Sequence, residues 1–250
     1  MRMDYLLLPA FAALVFACGG ERGTEATVEI IDAPDAPAEA AWTPLFNGRD
    51  FAGWHAYGGA PVGEAWKVTD DGSFYLDNSR KDGWQVVGGG DIVTDESYAN
   101  YELELEWRID SCGNSGIIYN VVEAPEYDYA WMTGPEMQVL DNSCHPDAKI
   151  DKHKAGDLYD LVAGDSTAVR PAGQWNQARL VVTDGRVEHW LNGVKMVEYV
   201  NTGEAWADRV AASKFREWDS FGQSTSGRIA LQDHGDRVWY RNVRIRPLES

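Results

Sequence analysis

The stretch TGPEMQVLDNSCHPD, residues 133–147, carries four side chains able to do chemistry: Glu136, Gln138, Asp141 and His145. Residues two apart on a strand project from the same face, so Glu136 and Gln138 stand together while Met137 and Val139 point the opposite way. Such a strand has one face for a core and a polar face that calls for a function. An imidazole titrates near neutral pH and can take a proton from carbon, and a neighbouring carboxylate can orient it. His145 is therefore the expected general base, with Asp141 as its orienting partner. A second histidine, His234 in LQDHGD, shares a face with Gln232 and is a further candidate for contact with a polar ligand. By contrast, His189 alternates with Val187 and Leu191, the pattern of a hydrogen-bonded core histidine.

Positioning these groups falls to short strands separated by Gly, Asn and Asp turns, beginning near Trp42. YELELEWRI alternates cleanly, with Tyr101, Leu103, Leu105, Trp107 and Ile109 on one face and Glu102, Glu104, Glu106 and Arg108 on the other. Asp184-Gly185 and Asn192-Gly193 are hairpin signals that divide QARLVVTDGRVEHWLNGVKMVEYV into three strands. GIIYNVV, GRIALQDHG and VWYRNVRIRPL supply more strands, and EAWADRVAASKF one short helix. Many short strands with Gly-rich turns predict an all-β sandwich of two antiparallel sheets, a single domain over residues 42–250, with one outer face lining a groove. Candidate groove residues are Glu106, Arg108, Tyr119, Glu188 and Trp190, with Trp131 as a stacking platform. Arg241 joins them; it alternates with Val243 and Ile245, a position that asks for a carboxylate partner.

With 40 acidic against 22 basic residues the formal charge is -18, which repels phosphate backbones and argues against a nucleic-acid partner. Residues 1–17 combine Arg2 with the apolar run YLLLPAFAALVF, too short to span a bilayer comfortably, as in a cleaved signal peptide. LVFAC, residues 14–18, resembles the lipobox of bacterial lipoproteins and makes Cys18 the expected lipidated residue. Residues 18–41, rich in Gly, Ala, Pro, Glu and Asp, read as a flexible acidic tether. The expected location is the bacterial cell envelope, periplasmic or surface-facing, with membrane contact through the N-terminal lipid anchor. Cys112 and Cys144 each end a strand candidate, and export favours their pairing as a disulfide.

The series LFNGRDFAGW, YELELEWRI, GNSGIIY, TGPEMQVLDN, AGDLYDL, PAGQWNQARLVV, VEHWLNGVKMVEY, SKF and GRIALQDHGDRVWYRNVRI closely resembles the bacterial 3-keto-disaccharide hydrolase family, over residues 42–248. The resemblance implies a concanavalin A-like jelly roll, related to laminarinase and lectin sandwiches, and a carbohydrate substrate. It also implies cleavage of a glycosidic bond in a sugar oxidised to a ketone at carbon 3. That ketone acidifies the hydrogen on carbon 2, so a base can remove it and the aglycone can leave carbon 1 by elimination, with water adding afterwards. Such chemistry needs a base, donors to an enediolate oxygen and an acid near the leaving oxygen. Glu136 and Gln138 fall where laminarinase-like relatives keep catalytic carboxylates, and the amide at 138 breaks the carboxylate pair of a conventional glycosidase. His234 and Gln232 are then placed to polarise the ketone or meet sugar hydroxyls. Two alternatives stand beside this reading: a non-catalytic glycan-binding lipoprotein and, disfavoured by Gln138, a conventional glucanase. The metal question stays open. DNSCHPD and QDHGD carry oxygen ligands suited to a structural Ca2+ or a catalytic divalent ion, although no EF-hand spacing occurs.

Growth with a radiolabelled fatty acid should label the chain, and Cys18→Ser should abolish the label. An unlabelled wild-type protein would refute the anchor.

Overall fold

The computed structural model describes residues 40–249; the signal segment 1–17, Cys18 and all but the last two residues of the tether 18–41 lie outside them. Strands form where β-branched and aromatic residues alternate with polar ones between Gly and Asn turns. In chain order they are β1 Thr43–Pro44, β2 Trp54–Ala56, β3 Trp66–Val68, β4 Phe74–Leu76, β5 Lys81–Asp82, β6 Gln85–Val86, β7 Ile92–Thr94 and β8 Tyr101–Ile109. Then come β9 Asn114–Val121, β10 Glu136–Leu140, β11 Asn176–Thr183, β12 Arg186–Leu191, β13 Val194–Val200, β14 Arg228–Leu231 and β15 Val238–Pro247. The expected short helix is α1, Glu204–Ala211.

Eight strands form one sheet, in the order β13-β12-β11-β8-β15-β4-β3 with β1 against β15, and five form the other, β10-β9-β14-β7-β2. Strands β5 and β6 make a separate hairpin. All these pairings are antiparallel, giving the expected concanavalin A-like jelly-roll sandwich. Both hairpin signals act as read. Asp184 and Gly185 have φ of 48° and 80°, and Asn192 and Gly193 of 51° and 83°, the doubly positive pair that matches the twist of the flanking strands.

The alternation of β8 decides the core. Its five apolar residues, Tyr101, Leu103, Leu105, Trp107 and Ile109, are each 1% exposed and join Ile117, Tyr119, Met137 and Val139 of the other sheet in one cluster. Burying a large apolar side chain contributes about 1.5–3 kcal/mol, so this shared layer holds the two sheets together.

The polar face of β8 points away from the five-stranded sheet and carries an ion ladder. Glu102 pairs with Arg246 at 2.5 Å and with Arg179, Glu104 with Arg244 at 2.5 Å, and Glu106 with Arg241 at 2.6 Å. Arg108 lies between the rings of Trp175 and Trp239, 4.9 and 4.3 Å from their centroids. Glu106, Arg108 and Arg241 therefore lie on the outer face of the eight-stranded sheet, apart from Glu136 and Gln138 on the five-stranded one, and brace that face. Arg241 leaves the buried face because the register shifts between Arg241 and Arg244, where Asn242 has φ 53°. Glu188 and Trp190 also belong to that outer face, where Trp190 donates to Glu188 at 2.8 Å and lies beneath Arg179.

Tyr119 is a core residue rather than a groove residue. Its odd-numbered position on β9 puts it with Ile117 against the eight-stranded sheet, where its hydroxyl meets His189 Nε2 at 2.7 Å. His189 is fully buried, as its alternation predicts, and burial lowers its pKa to about 4. Its Nδ1 faces the Gly156 carbonyl at 3.2 Å, which accepts only, so Nδ1 carries the proton and Nε2 accepts from Tyr119. Tyr199 then donates to the Tyr119 oxygen, completing a directed chain of buried hydrogen bonds. Tyr119→Phe strips His189 Nε2 of its donor and should cost about 1–3 kcal/mol, read as a lower urea midpoint at unchanged slope.

Candidate active site

On the outward face of the five-stranded sheet lies a cavity of about 310 Å³. Its polar floor is Asn114 from β9, Glu136 and Gln138 from β10, and Gln232 and His234 just beyond β14. Strand alternation produces this floor: Ile117, Met137 and Val139 go to the core, leaving the residues between them to face out. Trp84, Tyr129, Trp131, Tyr159, Phe215 and Trp218 wall it, and Lys214 reaches it from a 3-10 turn, Lys214–Glu217, that follows α1. Trp131 stacks on Tyr129 at 5.5 Å and meets Trp218 edge-on at 4.9 Å.

Glu136 owes its position to two neighbours. Gln138 is opposite Gly116 and Glu136 opposite Ile118 in the β9–β10 ladder. The Glu136 carboxyl lies over Gly116, where an added Cβ would be 2.1 Å from Oε1; only glycine leaves that space. The other edge of β10 is bonded by residues 156–159: Gly156 N to Gln138 O at 2.8 Å, Gln138 N to Asp157 O at 3.1 Å and Tyr159 N to Glu136 O at 3.0 Å. Tyr159 is thereby fixed beside the strand it serves, and its hydroxyl donates to Asp147 at 3.2 Å.

Burial sets the electrostatics. Glu136 is 5% exposed, and desolvation pushes its carboxyl up to about 8 against the opposing pull of the Lys214 ammonium. Lys214 is exposed overall, yet its ammonium lies 4.1 Å from the Tyr159 ring centroid, and desolvation lowers its pKa while Glu136 works to raise it. His234 is likewise lowered, chiefly by burial. The cavity thus holds an acid that keeps its proton and an imidazole that sheds one at neutral pH. Two floor atoms, Asn114 Oδ1 and Gln232 Oε1, are buried with no hydrogen-bond partner among the described residues.

Beneath His234, Asp233 fastens its loop to the β5–β6 hairpin. One carboxylate oxygen accepts from Val86 N at 3.0 Å and Gly90 N at 2.7 Å, and the other from Gly235 N at 2.8 Å. Asp91 Oδ1 accepts from Asp233 N at 2.9 Å, and burial pushes the Asp91 carboxyl up to about 7. Trp84, at the hairpin turn, packs on Tyr129 and His234.

Of the residues singled out from sequence, Glu136, Gln138, Gln232, His234 and Trp131 come together here. His145 is not among the residues lining the cavity; its ring meets that of His234 edge-on at 6.4 Å, and its Nδ1 accepts from Asp147 N at 3.2 Å. Asp141 does not orient it. Its carboxylate instead accepts from Cys112 N at 2.8 Å and Ser143 N at 3.0 Å, pinning the two loops joined by the Cys112–Cys144 disulfide. Asp141 and Asp233 spend their oxygens on backbone N–H groups, and no cluster of three or more His, Cys, Asp or Glu suited to a metal occurs among the described residues. Sequence reading missed Asn114 and the walls Trp84, Tyr129, Tyr159, Phe215 and Trp218. Lys214 was missed as well, though the short SKF match was an available signal.

The 3-keto-alpha-glucoside-1,2-lyase-like domain matches residues 41–246. The 3-keto-disaccharide hydrolase of Bacteroides thetaiotaomicron is 34% identical over 241 residues, 88% of this chain and 83% of that protein. A candidate glycosyl hydrolase of solved structure from Parabacteroides distasonis is similar at TM-score 0.74 and 35% identity, over 83% of this chain and 94% of that one. A Bacillus subtilis protein with a galectin-like fold, at TM-score 0.53 and 13% identity over 82% of this chain and 94% of its own, shares the fold alone.

The raised carboxyl predicts a pH-dependent stability. Between the ordinary value of 4.5 and about 8, folded Glu136 keeps a proton that the unfolded chain releases, so stability falls as pH rises through that window. Glu136→Gln should match wild type near pH 4 and gain on it up to about pH 9. The gain is a few kcal/mol at most, at about 1.4 kcal/mol per tenfold change in proton affinity, measured by urea unfolding at each pH.

Proposed function

The chain belongs to the 3-keto-alpha-glucoside-1,2-lyase-like family, and on that premise we propose that it cleaves the glycosidic bond of sugars carrying a ketone at carbon 3. One observation carries the mechanism: within a single aromatic-walled cavity, burial displaces Glu136 and His234 in opposite directions. Groups pushed apart in this way take the acid and base roles, each predominantly in its working form near neutral pH. The Trp and Tyr walls suit the apolar face of a sugar ring.

In this reading neutral His234 takes the hydrogen from carbon 2. The electrons pass through the carbon 2–carbon 3 bond to the ketone oxygen, and the Lys214 ammonium faces the resulting enolate. Collapse restores the ketone, forms the carbon 1–carbon 2 double bond and breaks the bond from carbon 1 to the aglycone oxygen. That oxygen receives the Glu136 proton. The imidazole ends protonated and the carboxyl ionised, so one proton must return before the next turnover. Water adding across the new double bond makes the sum a hydrolysis. Gln138 supports this route over a conventional one, since an amide cannot serve as the second carboxylate. We also propose that the lipobox-like LVFAC run anchors the enzyme at the cell envelope.

Incubation with 3-keto-trehalose should release glucose, while trehalose itself stays intact. The rate should rise with pH as His234 loses its proton below its ordinary 6.5 and fall as Glu136 ionises near 8. Glu136→Gln and His234→Ala should each lower kcat by about 10²–10⁴-fold. Saturable binding without turnover would instead mark a glycan-binding protein.

A further inference from the structure

We propose that Asn114 and Gln232 form a hydroxyl-reading pair, each amide receiving a different hydroxyl of the sugar ring that carries the ketone. The inference rests on the keto-glycoside reading above. Asn114 is 2% exposed and Gln232 5%, and both line the cavity. Their oxygens, Oδ1 and Oε1, are buried and lack a partner among the described residues. Buried acceptors are nearly always paired in folded proteins, so two orphans in one cavity point to donors that arrive with the ligand.

The backbone that carries each amide is fixed. Asn114 N donates to Asp236 at 3.1 Å, Gln232 N donates to Gly116 O at 3.0 Å, and Ser115 Oγ donates to Gln232 O at 2.7 Å. The backbone on either side is thus held while the amide heads line the floor. A donor is what they lack. The ketone, the ring oxygen and the glycosidic oxygen of a keto-glycoside only accept, so hydroxyls alone can serve. After oxidation at carbon 3, a hexose glycone keeps hydroxyls at carbons 2, 4 and 6. Two amides account for two of these three. Having no proton to transfer, the amides recognise the sugar, while Glu136, His234 and Lys214 do the acid and base work.

A substrate-by-variant cycle tests the pair. Turnover of p-nitrophenyl 3-keto-α-glucoside and its 2-, 4- and 6-deoxy congeners is compared for wild type, Asn114→Ala and Gln232→Ala. In wild type, removal of a hydroxyl read by an amide should lower kcat/KM by about 10- to 100-fold. Each variant should erase the penalty of one congener, and the two variants should erase different ones; the intrinsic effect of deoxygenation cancels because it appears in both rows. If either variant keeps all three penalties at their wild-type size, or both erase the same one, the proposal is overturned. Should an alanine variant fail to fold, Asn114→Ser or Gln232→Ser takes its place. Absence of wild-type turnover would count against the keto-glycoside reading alone. The same cycle read as Kd by calorimetry would still decide whether the amides recognise hydroxyls.

Discussion

Glu136 sits on a strand whose neighbouring side chain, Met137, is fixed in the core, so its carboxyl must stand on the outer face, where the aromatic wall covers it. Everything particular to the cavity follows from that constraint. An isolated buried carboxylate is too costly to keep ionised, and the group responds by holding its proton. Gly116 clears the space, Lys214 offers a partial counter-charge, and the aromatic wall covers the carboxyl. Each feature makes sense only with the others in place.

The two faces of the molecule use charge in different ways. Outside the eight-stranded sheet, carboxylates and guanidiniums meet pairwise across β8 and β15, where water screens them and each exposed pair contributes little. Inside the cavity a few groups lack full compensation, and their proton affinities move. The long run of alternating Glu that catches the eye in the sequence is therefore structural, while chemistry is left to sparse residues in loops and at strand ends.

That division explains what could be read in advance. Alternation along YELELEWRI, the Asp-Gly and Asn-Gly turns and the short helix all have local causes, and they gave the fold. Alternation also told which side chains share a face, which was enough for Glu136 with Gln138. It does not tell which sheet a strand joins, and both sheets of a sandwich have a polar outer face. Glu106, Arg108, Glu188 and Trp190 were lost to that ambiguity, and Arg241 to a bulge that a period of two cannot anticipate. Lys214 arrives from a turn far along the chain, a meeting made by tertiary packing alone. His145 follows the right strand, but the chain turns beside Asp141 and sets its ring against His234 rather than in the cavity lining.

Strand β10 ends the five-stranded sheet, and such an end normally offers a row of free backbone groups to any passing chain. Here residues 156–159 have already taken the bonds of Glu136 and Gln138, and Gly156, at φ 88°, bends that segment away from a regular strand. The molecule thereby closes this border against self-templating. Copies concentrated on one surface, as an anchor would hold them, could meet edge to edge without adding strands to one another.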